Sequence, residues 1–167
     1  VEARQDGRVV ASAAAEAARG LGYRVRLHPT FIDGDAPAAG ARLAHALLAA
    51  PAGEVQVWGG ETTLVLPPHP GRGGRNQSLA LSAARVLAGR ENVWFLSVGT
   101  DGSDGPTPDA GALVDGGTIA RGEIDGLNAS QALAAADAGA FLESSGDLVQ
   151  TGPTGTNVMD LMLGLRA

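Results

Sequence analysis

Segments with helical and with strand character alternate along the first part of the chain, and this alternation restricts the fold most. Segments rich in alanine and leucine that end at glycine or proline predict helices, and short apolar segments between them predict strands. The predicted helices cover 9–19, 38–50 and 76–87, and the predicted strands cover 23–27, 54–58, 62–66 and 93–98. Because helices that alternate with strands pack on the faces of a sheet, we predict a domain of the α/β class with three α/β/α layers.

The predicted sheet is mixed, because two of its strands follow one another closely. Only Gly59, Gly60 and Glu61 separate the strands predicted at 54–58 and 62–66. Such a short connection implies a tight turn or a bulge, and therefore antiparallel pairing.

The second half of the chain carries weaker signals. A short helix is predicted over 118–121, and a longer one begins at Asn128 as N-cap and continues to about residue 142. The apolar tail at 158–165 is compatible with a closing strand or a terminal helix. Trp58 and Trp94 lie in predicted strands and are expected in the core.

Length and composition limit the class of protein. The 167 residues, 44% of them hydrophobic, are predicted to form a single domain, and no apolar run is long enough to span a membrane. A net charge of −6 argues against nucleic-acid binding. All twelve basic residues are arginine and cysteine is absent, which excludes a lysine or thiolate site within the chain. We expect a cytoplasmic protein, and the start at Val1, without Met or signal-peptide character, predicts a cut into a longer chain.

The glycine-rich segment 71–77, GRGGRNQ, leads directly into a predicted helix and is suited to hold an anion. The first backbone N–H groups of a helix lack intrahelical partners, and glycines let a ligand approach them closely. Arg72 and Arg75 add fixed positive charge and forked donors that suit phosphate or carboxylate.

Two further loops, at 99–107 and 151–157, are rich in Gly, Thr and Asp or Asn. Polar loops at strand ends form the binding crevices of open α/β sheets, so we predict that all three loops converge on one pocket. Asp101 and Asp104 are candidates to share a magnesium ion near substrate phosphates, and capping of backbone N–H groups is the alternative. Glu61, with Thr62 beside it, is predicted to support the site by orienting an arginine or a loop.

Several familiar site motifs do not occur in the glycine-rich loops. The segment 71–76 lacks the third glycine of the dinucleotide fingerprint, because Asn76 stands at that position. Neither the loop at 71–77 nor the loop at 99–107 ends in the Gly-Lys-Ser/Thr of a P-loop. Ser103 does not have the spacing of a nucleophile elbow.

Five ordered motifs carry a resemblance to a known family. They are GGETT at 59–63, GRGGRNQ at 71–77, TDG with DGPT at 100–107, GDL at 146–148 and TGPTGTN at 151–157. Together they resemble the MOFRL domain, the C-terminal part of glycerate 2-kinases, which have also been called hydroxypyruvate reductases. The resemblance covers roughly 55–165. Ser78 departs from the glutamate usual in the family, and 136–138 read ADA in place of Asn-Asp-Ser.

The resemblance implies ATP-dependent phosphorylation of D-glycerate to 2-phosphoglycerate, with Mg²⁺, in a cleft between this domain and an N-terminal Rossmann-like domain that the chain lacks. Residues 1–54 would be a linking α/β segment and 55–167 the MOFRL-like region of one domain. The resemblance also implies a catalytic arginine in the RGGRN loop, and by position we assign this role to Arg75 as first choice and to Arg72 as second choice. The substrate or phosphate contacts that follow by position are Gly71, Gly73, Gly74, Asn76, Thr100, Thr154, Gly155, Thr156 and Asn157.

Other readings stay open at this point. One is NAD(P)H-dependent reduction of hydroxypyruvate, against which the absence of a dinucleotide fingerprint in 1–167 counts. Another is an anion-binding domain without catalysis. If the kinase interpretation holds, the isolated chain is expected to be inactive, its partners are glycerate, a nucleotide and the N-terminal domain, and a homodimer is possible.

Overall fold

A computed structural model describes residues 2–167 of the chain, with side chains described from Arg8 onward, so that Val1 lies outside the described residues. The helices are α1 (Glu2–Gly20), α2 (Ala36–Ala49), α3 (Arg75–Leu87), α4 (Thr118–Ile124), α5 (Ala129–Ala134) and α6 (Ala138–Ser145). The strands are β1 (Arg24–Leu27), β2 (Glu54–Gly60), β3 (Val93–Gly99), β4 (Gly111–Asp115), β5 (Leu148–Val149) and β6 (Asp160–Arg166).

The strands form one sheet in the order β1-β2-β6-β3-β4-β5. β1 and β2 are parallel, whereas β6 lies between β2 and β3 and is antiparallel to both. The carboxyl ends of β2 and β3 and the start of β6 therefore meet at one edge, where Asp160 is paired with Gly60 on one side and Gly99 on the other. The predicted mixed sheet is confirmed.

Helices cover both faces of the sheet, which confirms the predicted three-layer architecture. On one face α1 packs Ala11 and Ala15 against Val55 and Val57 of β2. On the other face α2, α3 and the short helices α4–α6 enclose the larger core, which includes Trp58, Phe95 and Met162. The site edge is reached by the N-terminus of α3.

The face of the sheet that α1 packs on is only partly covered. Trp94 and Leu113 lie there beside Leu163 and Leu165, and they are 38% and 46% exposed. Trp58, in contrast, is 3% exposed. The predicted burial is therefore confirmed for Trp58 and wrong for Trp94, because no helix among residues 2–167 covers the outer side of β3 and β4.

The strand predicted at 62–66 does not form, and neither does the turn before it. Gly59 and Gly60 continue β2 to its end, and in the segment that follows Thr63 makes an isolated parallel bridge to Asp35 of the β1–α2 connection. β6 already occupies the place beside β2 that a hairpin strand would take. The sheet is mixed because of β6 and β4, not because of that hairpin.

The helix predicted over 128–142 is two helices. Asn128 caps α5 as predicted, its side chain accepting the N–H of Gln131 at 3.0 Å. Ala136 then adopts φ 50°, a left-handed conformation that interrupts the helix before α6. The tail is a strand, β6, and the sequence interpretation omitted β4 and β5.

No helix of residues 2–167 has both the length and the apolarity that crossing a membrane requires.

Candidate functional site

Three loops meet at the sheet edge that Asp160 marks. We call them the arginine loop (71–75), the aspartate loop (100–107) and the threonine loop (151–159). The first two border a cleft of about 530 Å³. Its lining includes Thr62, Thr63, Leu64, Leu66, Gly73, Gly74, Arg75, Asp101, Ser103, Asp104, Gly105 and Pro106.

The backbone N–H groups at the N-terminus of α3 fall into two sets, one capped by Asp104 and one without a partner. Oδ1 of Asp104 accepts the backbone N–H of Asn76 at 3.0 Å, and Oδ2 accepts that of Gln77 at 2.8 Å. Gly73, Gly74 and Arg75 line the cleft, and their backbone N–H groups donate to no partner among the described residues. Three consecutive free donors at the positive end of a helix are suited to an anion such as a phosphate.

Asp104 is almost completely buried, with 3% of its surface exposed. Burial raises the pKa of its carboxyl above the ordinary value, while the hydrogen bonds from Asn76 and Gln77 act in the opposite direction. Gly74 makes this contact possible, because a Cβ at that position would collide with the carboxylate of Asp104. The close approach of the two loops thus depends on that glycine.

Arg75 is held at the cleft by two acidic residues. Its Nε and Nη2 donate to the two carboxylate oxygens of Asp160 at 2.8 and 3.0 Å, and Nη2 lies 3.4 Å from Oε1 of Glu61. The hydrogen bond to Asp160 is the main reason that the pKa of Arg75 is raised. Glu61 therefore contacts an arginine, as the sequence predicts. Asp160 was missed by the sequence interpretation.

A signal for Asp160 exists in the sequence. It is the one acidic residue in the otherwise apolar segment 158–165, and an isolated carboxylate in a buried strand needs a partner. Its side chain is fully buried. Its partners across the sheet, Gly60 and Gly99, have no side chains, so the space beside the carboxylate stays open for the guanidinium of Arg75.

Arg72 points to a different part of the molecule. Its guanidinium donates to the carbonyl of Gly139 at 3.1 Å and pairs with Glu143 of α6 at 2.9 Å. Its backbone N–H donates to Asp137 at 2.7 Å, and a Cβ on Gly71 would collide with the same Asp137. Arg72 and Gly71 thus fasten the arginine loop to α6, and neither borders the cleft.

Asn76 lies beneath the loops. It is 1% exposed, its Oδ1 accepts the hydroxyl of Ser97 at 2.7 Å, and its Nδ2 lies 3.4 Å from Asp104. The adjacent Gln77, also buried, donates to the hydroxyl of Thr107 at 2.8 Å. These amides connect α3, β3 and the aspartate loop, and Asn76 has no exposed group to offer a ligand directly.

Thr100 joins the aspartate loop to the threonine loop. Its hydroxyl donates to the carbonyl of Met159 at 2.7 Å and accepts the N–H of Val158 at 2.9 Å. The hydroxyl of Thr154 donates to the carbonyl of Thr100, and its backbone N–H donates to the carbonyl of Asp101 at 3.2 Å. The threonine loop therefore backs the aspartate loop. Its remaining predicted contacts, Gly155, Thr156 and Asn157, are exposed and lie outside the cleft lining.

The predicted metal ligands share the cleft but differ in surroundings. Asp101 accepts the N–H of Ser103 at 3.0 Å in an Asx turn and keeps its second oxygen free of partners among the described residues, whereas Asp104 caps α3. Among the side chains described from Arg8 onward, no group of three or more His, Asp or Glu residues could hold a metal ion alone. Of the two, Asp101 keeps a carboxylate oxygen that could contribute one ligand to a divalent cation held mainly by a bound phosphate, whereas both oxygens of Asp104 accept N–H groups of α3.

Thr62, predicted as a support residue, is 1% exposed at the wall of the cleft. Its hydroxyl has no hydrogen-bond partner among the described residues. The neighbouring Thr63 donates to the carbonyl of Gly34 through both its N–H and its hydroxyl, at 2.8 and 3.2 Å. These two hydrogen bonds of Thr63 hold the segment after β2 against the β1–α2 connection.

Comparison with known proteins gives one family match and several named relatives. Residues 54–160 match the MOFRL family. A D-glycerate 2-kinase of Thermotoga maritima is 50% identical over 109 residues, which are 65% of this chain and 26% of that protein. A glycerate 2-kinase of Pyrococcus horikoshii is 35% identical over 160 residues, 92% of this chain and 36% of that protein.

Solved structures agree with the observed fold. The crystal structure of glycerate kinase from Thermotoga maritima superposes with a TM-score of 0.89 at 40% identity, over 95% of this chain and 40% of that one. A crystal structure of a Pyrococcus horikoshii protein superposes with a TM-score of 0.87 at 34% identity, over 93% and 37%. The chain therefore spans well under half the length of the proteins it matches.

Proposed function

The chain belongs to the MOFRL family, and on this basis we propose that it is the C-terminal domain of a glycerate 2-kinase. The reaction is transfer of the γ-phosphoryl group of ATP to the 2-hydroxyl of D-glycerate, with Mg²⁺. The cleft beside Arg75 forms one wall of the site, and an N-terminal domain in the full-length protein supplies the other wall. The observation that carries the proposal is that backbone N–H groups without partners and an arginine held by Asp160 occur together at this cleft.

Phosphoryl transfer depends on positioning and on neutralising the oxygen charge that develops in the transition state. Arg75 and the N–H groups of Gly73 and Gly74 are donors of the required kind, and they border one cleft. When bound, Mg²⁺ would neutralise phosphate charge, with Asp101 as its ligand from this chain. Asp104 shapes the loop, because both its oxygens serve the start of α3.

Of the two candidate arginines, we favour Arg75 as the catalytic contact. Arg72 is fastened to Glu143 and Gly139, away from the cleft lining. On this proposal the two cleft loops are held in place by a framework, which consists of Gly71, Asn76, Thr100 and the threonine loop.

The test is a kinase assay of the full-length protein with ATP, Mg²⁺ and D-glycerate, comparing Arg75→Ala with Arg72→Ala. We expect Arg75→Ala to lower kcat/KM by about 10³-fold or more, because one such arginine contributes about that factor in phosphoryl transfer. Arg72→Ala should lose less than about tenfold. Normal turnover by Arg75→Ala would refute its assignment.

The proposal separates from its rivals by simple measurements. Oxidation of NADH or NADPH with hydroxypyruvate, in the absence of ATP turnover, would favour a reductase. Binding of glycerate and nucleotide without turnover by the full-length protein would favour a non-catalytic anion-binding domain. On this proposal the isolated 167 residues should not turn over, because a further domain supplies the other wall of the cleft. Cytoplasmic location and a homodimer are further expectations, to be tested by fractionation and light scattering.

A further inference from the structure

We propose that Asp160 is a positioning residue, which fixes the guanidinium of Arg75 so that one edge of that group stays available to an anion in the cleft. The inference rests on the glycerate 2-kinase function proposed above and names a residue that acts through Arg75. It is carried by the geometry of the pair, the rigidity of the strand that bears Asp160, and the contrast with Glu61.

The pair uses a defined edge of the arginine. Nε and Nη2 of Arg75 donate to Oδ2 and Oδ1 of Asp160 at 2.8 and 3.0 Å, which is a bidentate charge-assisted contact. This contact occupies the side edge of the planar group. The end edge consists of one hydrogen of Nη1 and the second hydrogen of Nη2, where Glu61 lies 3.4 Å from Nη2, and the side chain as a whole is 35% exposed. The end edge is thus the donor pair that a phosphate oxygen or a carboxylate can meet.

Asp160 has little freedom to move. It is the first residue of β6, it is paired with a strand on each side, and its side chain is fully buried. The residue before it, Met159, has φ 75°, a conformation that non-glycine residues rarely adopt. The carbonyl of Met159 accepts both the N–H and the hydroxyl of Thr100, at 3.0 and 2.7 Å, so the surroundings hold this turn in place. A group on a central strand positions its partner more accurately than one on a loop.

Glu61 contacts the same guanidinium in a different way. Its distance to Nη2 is 3.4 Å, its side chain is 45% exposed, and it follows the end of β2. An exposed single contact of this length contributes little and can be displaced by an incoming anion. Arg75 therefore has one permanent acidic partner and one exchangeable partner. With Asp160 in place, the arginine does not have to be ordered again at each turnover, which preserves transition-state stabilisation.

The first test is a double-mutant cycle in the full-length protein. We expect Asp160→Asn to lower kcat by about 10- to 100-fold, because Asn has one acceptor where the arginine needs two, and to change the KM for glycerate less than threefold. In the Arg75→Ala background, Asp160→Asn should have no further effect within about twofold. If the two losses multiply, Asp160 acts independently of Arg75 and the proposal is wrong.

The second test is rescue of Arg75→Ala by added guanidinium. If Asp160 holds the group, guanidinium should restore kcat of Arg75→Ala by at least about tenfold, and it should restore nothing in Arg75→Ala/Asp160→Asn. The double variant removes both charges, so it avoids the unpaired buried carboxylate that Arg75→Ala alone leaves at Asp160. Equal rescue in both backgrounds, or no rescue in either, would overturn the positioning role.

The matched control is Asp147→Asn. Asp147 is nearly buried and binds Arg121 at 2.6 Å, far along the sheet from the cleft lining. Its loss should lower stability and leave kcat, KM and rescue unchanged. A purely structural Asp160 would behave like this control.

A readout without turnover separates this proposal from the kinase proposal. The Nε–H proton of Arg75, identified by its absence in Arg75→Ala, should exchange slowly with water in the wild type and at least tenfold faster in Asp160→Asn. If the wild type does not phosphorylate glycerate yet shows this difference, the kinase proposal fails and the fixed arginine stands. If the exchange rates are equal, Asp160 does not fix Arg75, whatever the activity.

Discussion

The carboxylate of Asp104 accepts the backbone N–H of Gln77, 27 residues earlier in the chain, at 2.8 Å, so the aspartate loop caps the start of α3. Its other oxygen accepts the N–H of Asn76 at 3.0 Å. Gly74, at the N-cap position of α3, has no side chain to do this. We expect Asp104→Ala to lower the free energy of unfolding by about 2 kcal/mol, since two helix donors lose their acceptor. Urea unfolding of the isolated chain measures it.

Asp101→Asn is the control for that variant. Asp101 lies on the same loop and accepts the N–H of Ser103 at 3.0 Å, a contact that an asparagine oxygen can keep. Its change in unfolding free energy should be below about 0.5 kcal/mol. Equal losses for the two variants would show that Asp104 does not act as the cap.

The stability that depends on Asp104 should vary with pH in a defined direction. Burial raises the pKa of Asp104 above 3.8, the value of an unperturbed aspartate. The folded protein therefore binds this proton more tightly than the unfolded chain, and the contribution of Asp104 is greatest below that unfolded value and falls as pH rises through the folded pKa. From about pH 4 upward, the unfolding free energy of the wild type should therefore fall relative to that of Asp104→Asn, which has no carboxyl to ionise at this position. A difference independent of pH would contradict the raised pKa.

Gly74→Ala should disturb the arginine loop and Gly20→Ala should not. A Cβ on Gly74 would collide with the carboxylate of Asp104, whereas one on Gly20 meets nothing within 4 Å. We expect Gly74→Ala to lower the unfolding free energy by about 2 kcal/mol, because one of two packed loops must move. Gly20→Ala, at the end of α1, should be neutral or slightly stabilising. Thermal unfolding distinguishes them, and a neutral Gly74→Ala would show that the loops adapt.

The two tryptophans should differ sharply on truncation. Trp58 is 3% exposed and stacks on His28 with ring centroids 4.7 Å apart, whereas Trp94 is 38% exposed on the partly covered face. Trp58→Ala should cost about 3–5 kcal/mol through the cavity that it leaves, and Trp94→Ala about 1 kcal/mol. Denaturant titration of each variant checks the contrast. Similar costs would mean that Trp94 is covered in solution.

Local pattern was sufficient for much of the fold. The helix that became Arg75–Leu87 and the strand that became Val93–Gly99 were predicted within a residue or two, since each has a clear composition and a glycine boundary. The strand at 62–66 was wrong because β-branched composition records only a preference for extended backbone. Whether a sheet position is free depends on where β6 goes, and β6 pairs with β2 from the far end of the sequence.

The candidate site was only partly accessible from sequence. The glycines and arginines of 71–75 predict an anion-binding loop from their own chemistry, and in the structure Arg75 lies at the cleft while Arg72 pairs with Glu143 of α6. That choice depends on Asp160, which is 85 residues further along the chain. Long-range side-chain pairing of this kind has no local periodicity, so a single sequence offers only the lone charge in an apolar segment as a sign.

The central place of β6 has a consequence for how the molecule acquires its shape. The strand lies between β2 and β3 although it follows all the others along the chain, so the sheet cannot close until these late residues have been synthesised. Contacts between residues far apart in sequence slow folding and leave earlier strands unpaired in the meantime. The anchor of Arg75 arrives on that same strand, so completion of the sheet and assembly of the cleft are a single event, and a chain truncated before Asp160 would lack both.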